Sequence, residues 1–228
     1  QLDAVVLNSG GANACTGPDG LADTRAMAEA TASALGTTPD QVAVCSTGLI
    51  GVRLPMDAVH AGIAAAAAGL AVDGASDAAL AIMTTDTVPK QAATTSEAGW
   101  SVGGMAKGAG MLAPALATML VVVTTDADLT PAEADTALRA ATRVTFDRTD
   151  SDGCMSTNDT VILMASGASG VAPDLEAFTD ALTQVCGSLA RQLQASGMPL
   201  TVFVSPEGEL LGRHQGALDA AGLEAEID

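Results

Sequence analysis

The chain has 228 residues, 48% of them hydrophobic, enough for one or two domains with a real core and too many for a disordered chain. A formal net charge of -18 argues against nucleic acid and anionic membrane as partners. Aromatics are only 2% of the residues, so the core is expected from Ala, Val, Leu, Ile and Met.

In chain order, "DAVVLNSGGANACTGPDG" (3–20) reads as a short buried strand followed by a glycine-rich loop. Residues 19–35 have helical periodicity, with Asp19 as the expected N-cap. "QVAVCSTGLIG" (41–51) is a strand ending in a Thr-Gly turn, and 55–70 is an alanine-rich helix. Residues 76–86 read as a short helix running into an extended segment. "WSVGGMAKGAGML" (100–112) is a strand broken by glycines, then a loop. The β-branched run in "ATMLVVVTTD" predicts a central, buried strand over 118–124. Thr130, Pro131 and Glu133 spell a capping box at the head of a helix over 131–144. A loop and strand follow at 156–169, then a long amphipathic helix at 174–194. Strands thus alternate with helices, the pattern of an α/β or α+β class. Beyond 194 the texture changes to a hairpin, 200–204 with 209–213, around Pro206-Glu207-Gly208, and then a short helix.

The longest apolar run, "AGIAAAAAGLAV" (61–72), is too short to span a bilayer. Cys15, Cys45, Cys154 and Cys186 form no CxxC pair, and with His60 and His214 they offer no zinc spacing. Reduced thiols, no metal and a cytoplasmic location are therefore expected. The absence of a basic signal-peptide region after Gln1 points the same way. Asp147, Asp150 and Asp152 miss the alternation of a calcium loop and are expected to shape a loop by hydrogen bonds. The loop after the first strand lacks both GxGxxG and GxxxxGK[ST], so tight packing on a neighbouring strand is expected rather than phosphate binding.

The chain contains two lysines, Lys90 and Lys107, and both precede Thr118 by fewer than 30 residues. A threonine hydroxyl is a poor nucleophile until a base stands beside it, and cutting the chain before the threonine frees its own α-amine for that task. Small residues and glycines in "KGAGMLAPALAT" suit such a cut, although they suit an ordinary strand threonine as well. The Thr47-Gly48 pair carries a hydroxyl beside a backbone N–H, the donors an oxyanion hole needs, but taken alone it reads as a plain turn.

Taken together, "LNSGGANACTG", "VCSTGLIG", "AIMTTDTVPK", "VGGMAKGAGMLAPALATML" and "STNDTV" resemble, in order and spacing, the ornithine acetyltransferase family of arginine biosynthesis, bifunctional glutamate N-acetyltransferases. The resemblance covers residues 1 to about 193. It implies a layered, self-cleaving, Ntn-hydrolase-like α/β fold, cut between Ala117 and Thr118. Residues 1–117 would form an α-piece, 118–194 the start of a β-piece, and 195–228 a foreign or atypical tail. It implies Thr118 as nucleophile, Thr47 and Gly48 as oxyanion donors, and Thr84, Lys107 and Thr118 as substrate contacts. Lys90 has no role in it. The implied reaction moves an acetyl group from N-acetylornithine, and in many members from acetyl-CoA, to glutamate through an acetyl-threonine. No cofactor is implied beyond acetyl-CoA as a substrate, and intact members are expected to be α/β heterotetramers.

Family members begin before the first motif and continue well past residue 194, where they contribute an acidic substrate ligand and others. The fold is accordingly expected to be incomplete here, with cleavage retained and transfer poor. The segment 197–228 is similar instead to the end of a thioredoxin-like domain, which implies a cis Met198-Pro199 bond. The alternatives are a related self-cleaving amidase or aminopeptidase, and an inactive truncated or fused fragment.

Overall fold

The computed structural model describes residues 2–110, 112, 119–150, 159–196, 200–205 and 210–215. Strand β1 (Ala4–Gly11) is followed by helix α1 (Gly17–Leu35) and strand β2 (Val42–Leu49), which lies parallel to β1. A crossover helix is what a parallel pair requires. Helix α2 (Met56–Ala68) packs on α1, and the short α3 (Ala75–Ala81) leads towards a second sheet.

That sheet has the order β3 (Lys90–Thr95), β4 (Ser101–Lys107), β5 (Leu120–Thr125), β6 (Thr160–Ala165). The first three strands are antiparallel neighbours, and β6 runs parallel to β5. Helix α4 (Pro131–Val144) provides the crossover between β5 and β6, and α5 (Leu175–Ser196) packs on α4, β3 and β4. Strands β7 (Leu200–Val204) and β8 (Leu210–Gln215) form an antiparallel hairpin, as the sequence suggests. The turn residues 206–208, the Met198-Pro199 bond and the helix expected after the hairpin lie outside the described residues.

Strand β5 is inner in its sheet, and five of its six residues are buried, Thr124 being exposed. The main core joins Val102, Val121 and Val123 from the sheet to Phe178, Leu182, Val185 and Leu189 from α5. Its few aromatics are also central. Trp100 and Phe178 meet with ring centroids 5.4 Å apart, and Phe146 is 1% exposed, so the core is not purely aliphatic. The capping box at α4 forms as spelled, with Glu133 N donating to Thr130 Oγ1 and Thr130 N donating to Glu133 Oε2.

Three expectations need correction, and one strand was not foreseen. Helix α1 starts at Gly17 after Thr16, not at Asp19; Pro18 is already set for the first turn, and Asp19 sits within it, 3.4 Å from Arg53. The Thr47-Gly48 pair is not a turn but the extended end of β2, still paired with β1. The glycines of β4 do not break it. A Cβ on Gly104 would stand 3.3 Å from Leu189 Cδ1 and 3.1 Å from Val122 O, so this glycine brings the sheet close to α5. Finally, residues 90–95 form an edge strand that the pattern of the sequence does not announce. The Gln192 side chain borders it, donating through Nε2 to Gln91 O at 2.9 Å and accepting from Gln91 N at 3.3 Å. An edge met in this way offers fewer free backbone groups to another chain.

Candidate functional site

The ends of β2 and β4, which belong to different sheets, meet at one point. Lys107 is the last residue of β4 and Thr47 lies near the end of β2. Both are 2% exposed, and Lys107 Nζ donates to Thr47 Oγ1 at 2.9 Å. That bond occupies an acceptor position of the hydroxyl and leaves its proton to be donated elsewhere.

Gly48 follows Thr47 with φ of 129°, a conformation that L side chains rarely adopt. It lies opposite Gly10 of β1, and a Cβ there would come within 2.4 Å of the Gly10 carbonyl carbon. The "SGG" of β1 and the "STG" of β2 therefore fit each other backbone to backbone. This is the packing role expected for the glycine-rich segment, although Asn8–Gly11 belongs to the strand and not to the loop. Beyond it, Asn13 and Cys15 take positive φ values of 46° and 59°. The Asn13 side chain ties the loop down through Gly20 O, Thr24 Oγ1 and Thr16 Oγ1.

Asp86 stands behind Lys107. Its Oδ1 accepts from Gly108 N at 2.7 Å and from Lys90 Nζ at 2.5 Å, and its Oδ2 accepts from Thr84 N at 3.1 Å. Asp86 and Lys90 form an ion pair whose side chains are both fully buried. Burial pushes the Asp86 carboxyl up, but the Gly108 amide, Lys90 and the Thr84 amide together hold it below the ordinary carboxylate range. Burial lowers the Lys107 ammonium below its ordinary value; Asp86 opposes that shift and Lys90 reinforces it.

Thr47 and Lys107 are thus in direct contact. Thr84 is joined to them by its backbone, through Asp86 and Gly108, while its residue surface is exposed. Ala117 and Thr118 lie outside the described residues; on either side of them Leu112 is fully buried and Met119 is 3% exposed. Met119 O accepts from Thr160 N at 3.1 Å, so the segment after Thr118 joins β5 to β6 at once. Sequence reasoning passed over Asp86 and left Lys90 without a role. The scarcity of lysine and the Asp-x-x-x-Lys spacing in "TTDTVPK" were the available signals.

An apolar cleft of about 570 Å³ lies between β1 and α2; it includes Val6, Met27, Leu54 and Ile63 and reaches Gly10 and Leu49 beside the Thr47-Gly48 pair. Among the described residues no group of His, Cys, Asp or Glu could hold a metal ion, and no helix is long and apolar enough to cross a membrane. Asp147 is the middle residue of a single 3-10 turn, Phe146–Arg148, while Asp152 lies outside the described residues.

The ArgJ family model matches residues 1–207. The chain belongs to the ArgJ family. A Streptomyces coelicolor protein named arginine biosynthesis bifunctional protein ArgJ is 65% identical over 193 residues, 85% of this chain and 50% of that protein. A Thermobifida fusca protein of the same name is 59% identical over 207 residues, 91% of this chain and 54% of that protein. The chain therefore spans about half the length of the curated relatives it matches. A solved Mycobacterium tuberculosis ornithine acetyltransferase complexed with ornithine is 61% identical, covering 48% of this chain and 61% of that one with a TM-score of 0.47. The family match passes residue 194 and takes in β7 of the hairpin.

Proposed function

We propose that this chain carries the threonine-nucleophile half of an acetyl transfer from N-acetylornithine to glutamate, on an Ntn-hydrolase-like fold. The carrying observation is the buried Lys107–Thr47 hydrogen bond between two sheets, in a chain of this family. An ammonium donating to the Thr47 hydroxyl oxygen leaves its O–H, with the Gly48 N–H beside it, to face a developing oxyanion. The Lys107 charge suits the carboxylate of an amino-acid substrate. Thr84 is held near by the Asp86 bridge and would border the same substrate.

The first step of this reading is self-cleavage. Thr118 Oγ attacks the Ala117 carbonyl carbon, the Ala117–Thr118 C–N bond breaks, and the nitrogen takes the hydroxyl proton. Water then hydrolyses the ester, leaving an Ala117 carboxylate and a free Thr118 amine, which is the base for the next step. In transfer, the Thr118 oxygen attacks the acetyl carbonyl of N-acetylornithine while its proton passes through that amine to the departing ornithine nitrogen. The glutamate amine then attacks the acetyl-threonine ester and restores the hydroxyl. Acetyl-CoA would enter as an alternative donor to the same oxygen.

Intact-mass spectrometry tests both stages. Wild-type protein should resolve into two pieces meeting at Ala117 and Thr118, and the Thr118 piece should gain one acetyl group on incubation with N-acetylornithine. Thr118→Ala should remain one uncut chain. A wild-type chain that keeps a single mass on prolonged incubation would overturn self-cleavage, and a cut chain that never takes up acetyl would overturn transfer.

A further inference from the structure

Among the described residues the site contains two buried lysines and one buried carboxylate that acts on both. The carboxylate is committed to Lys90 at 2.5 Å, not to Lys107, whose described hydrogen bond goes to a neutral hydroxyl. An isolated buried cation is costly, and the cheapest remedy for Lys107 would be a carboxylate of its own. Asp86 is near enough to act on its charge, and it binds the amide of Gly108, the next residue in the chain.

We propose that Lys90 is a positioning residue: by claiming the Asp86 carboxylate, it lets Asp86 tie Thr84 to Gly108 without neutralising Lys107. Among the described residues Lys107 then remains a buried cation with no carboxylate of its own, ready for that of a substrate. The pair Asp86–Lys90 adds no net charge, so it supports the backbone on both sides of the site while leaving the site's own charge in place. An asparagine at 86 could accept through one oxygen only, whereas the carboxylate accepts from Thr84, Gly108 and Lys90 at once. This inference rests on reading Lys107 as the group that meets the substrate carboxylate.

The charge arithmetic yields a signature that a merely structural pair would not have. Lys90→Met strips Asp86 of its counter-ion and turns its carboxylate towards Lys107. Asp86→Asn with Lys90→Met removes a neutral pair and so restores the net charge around Lys107, while giving up one of the two backbone bonds made by the carboxylate oxygens. With only two lysines in the sequence, selective labelling of lysine Cε with carbon-13 gives each a separable NMR signal. Among the described residues the groups that act on the Lys107 charge are Asp86 and Lys90, and both are controlled in this series.

The expected result is a Lys107 titration midpoint that rises by about one pH unit in Lys90→Met and returns in the double variant. Added glutamate should shift the Lys107 signal in the wild type, and much less in Lys90→Met. A midpoint unmoved by Lys90→Met, or moved as far in the double variant as in the single one, would overturn the proposal. If Lys90→Met does not fold, the double variant decides alone. A midpoint within a few tenths of a unit of the wild type's supports the inference, and a clear fall means that Asp86 was the counter-ion of Lys107 after all. Should the midpoints follow the expected pattern while glutamate moves no signal in any variant, the pairing stands and the functional reading fails.

Discussion

Replacing Gly48 with alanine should damage the fold and the site together. At φ of 129° an alanine is strained, at a cost of about 1–3 kcal/mol. Its Cβ would also lie 2.4 Å, 2.5 Å and 2.8 Å from the carbonyl carbon, carbonyl oxygen and Cα of Gly10. These are backbone atoms, so relief requires β1 and β2 to part where they are paired, adding about 1–3 kcal/mol. The sum, about 2–6 kcal/mol, is a large share of an ordinary domain's stability. At about 2–4 °C per kcal/mol for a chain of this size, the melting temperature should fall by about 4–24 °C. Gly10→Ala is the matched control. Gly10 also has a positive φ, 109°, but its Cβ would meet nothing within 4 Å, so only the strain cost applies. Thermal unfolding followed by circular dichroism on the three proteins measures the two contributions separately. If Gly48→Ala melts with Gly10→Ala, the backbone contact carries no weight and the argument for close fit between the two glycine motifs fails.

Two further outcomes follow from burial. Because the folded Lys107 ammonium sits below its ordinary value of 10.5, the unfolded chain binds more protons at this group from the folded midpoint up to about 10.5. The unfolding free energy of wild type minus that of Lys107→Met should therefore increase with pH across that window, whatever constant offset repacking around Thr47 adds; urea titrations from neutral to alkaline pH that give a flat or falling difference would refute it. Among the described cysteines, Cys15 is exposed while Cys45 and Cys186 are buried, with burial raising the Cys45 thiol and pushing Cys186 up to about 12. Iodoacetamide at mildly alkaline pH should thus label Cys15 well before the other two in folded protein, as read by peptide mapping, and equal labelling of Cys186 would contradict its placement in the core.

By itself the sequence determined the elements whose signals are local. The β-branched run of β5 and the helical periods of α1, α2, α4 and α5 were legible within a few residues of their ends. So was the capping box, because its donors and acceptors lie within one turn. The ordered motifs placed the chain in its family and singled out Thr47 and Lys107, which the fold then brought to hydrogen-bonding distance. What only the tertiary structure decided is of another kind. Strand β3 has weak intrinsic preference and exists because β4 on one side and Gln192 on the other satisfy its backbone. Gly48 reads as a turn residue until β1 is laid beside it and removes the room for a Cβ. Above all, composition counts two lysines and cannot say which of them takes Asp86. Charge pairing depends on distance and burial, and those were set only when β3, β4 and the "MTTD" segment came together around one carboxylate.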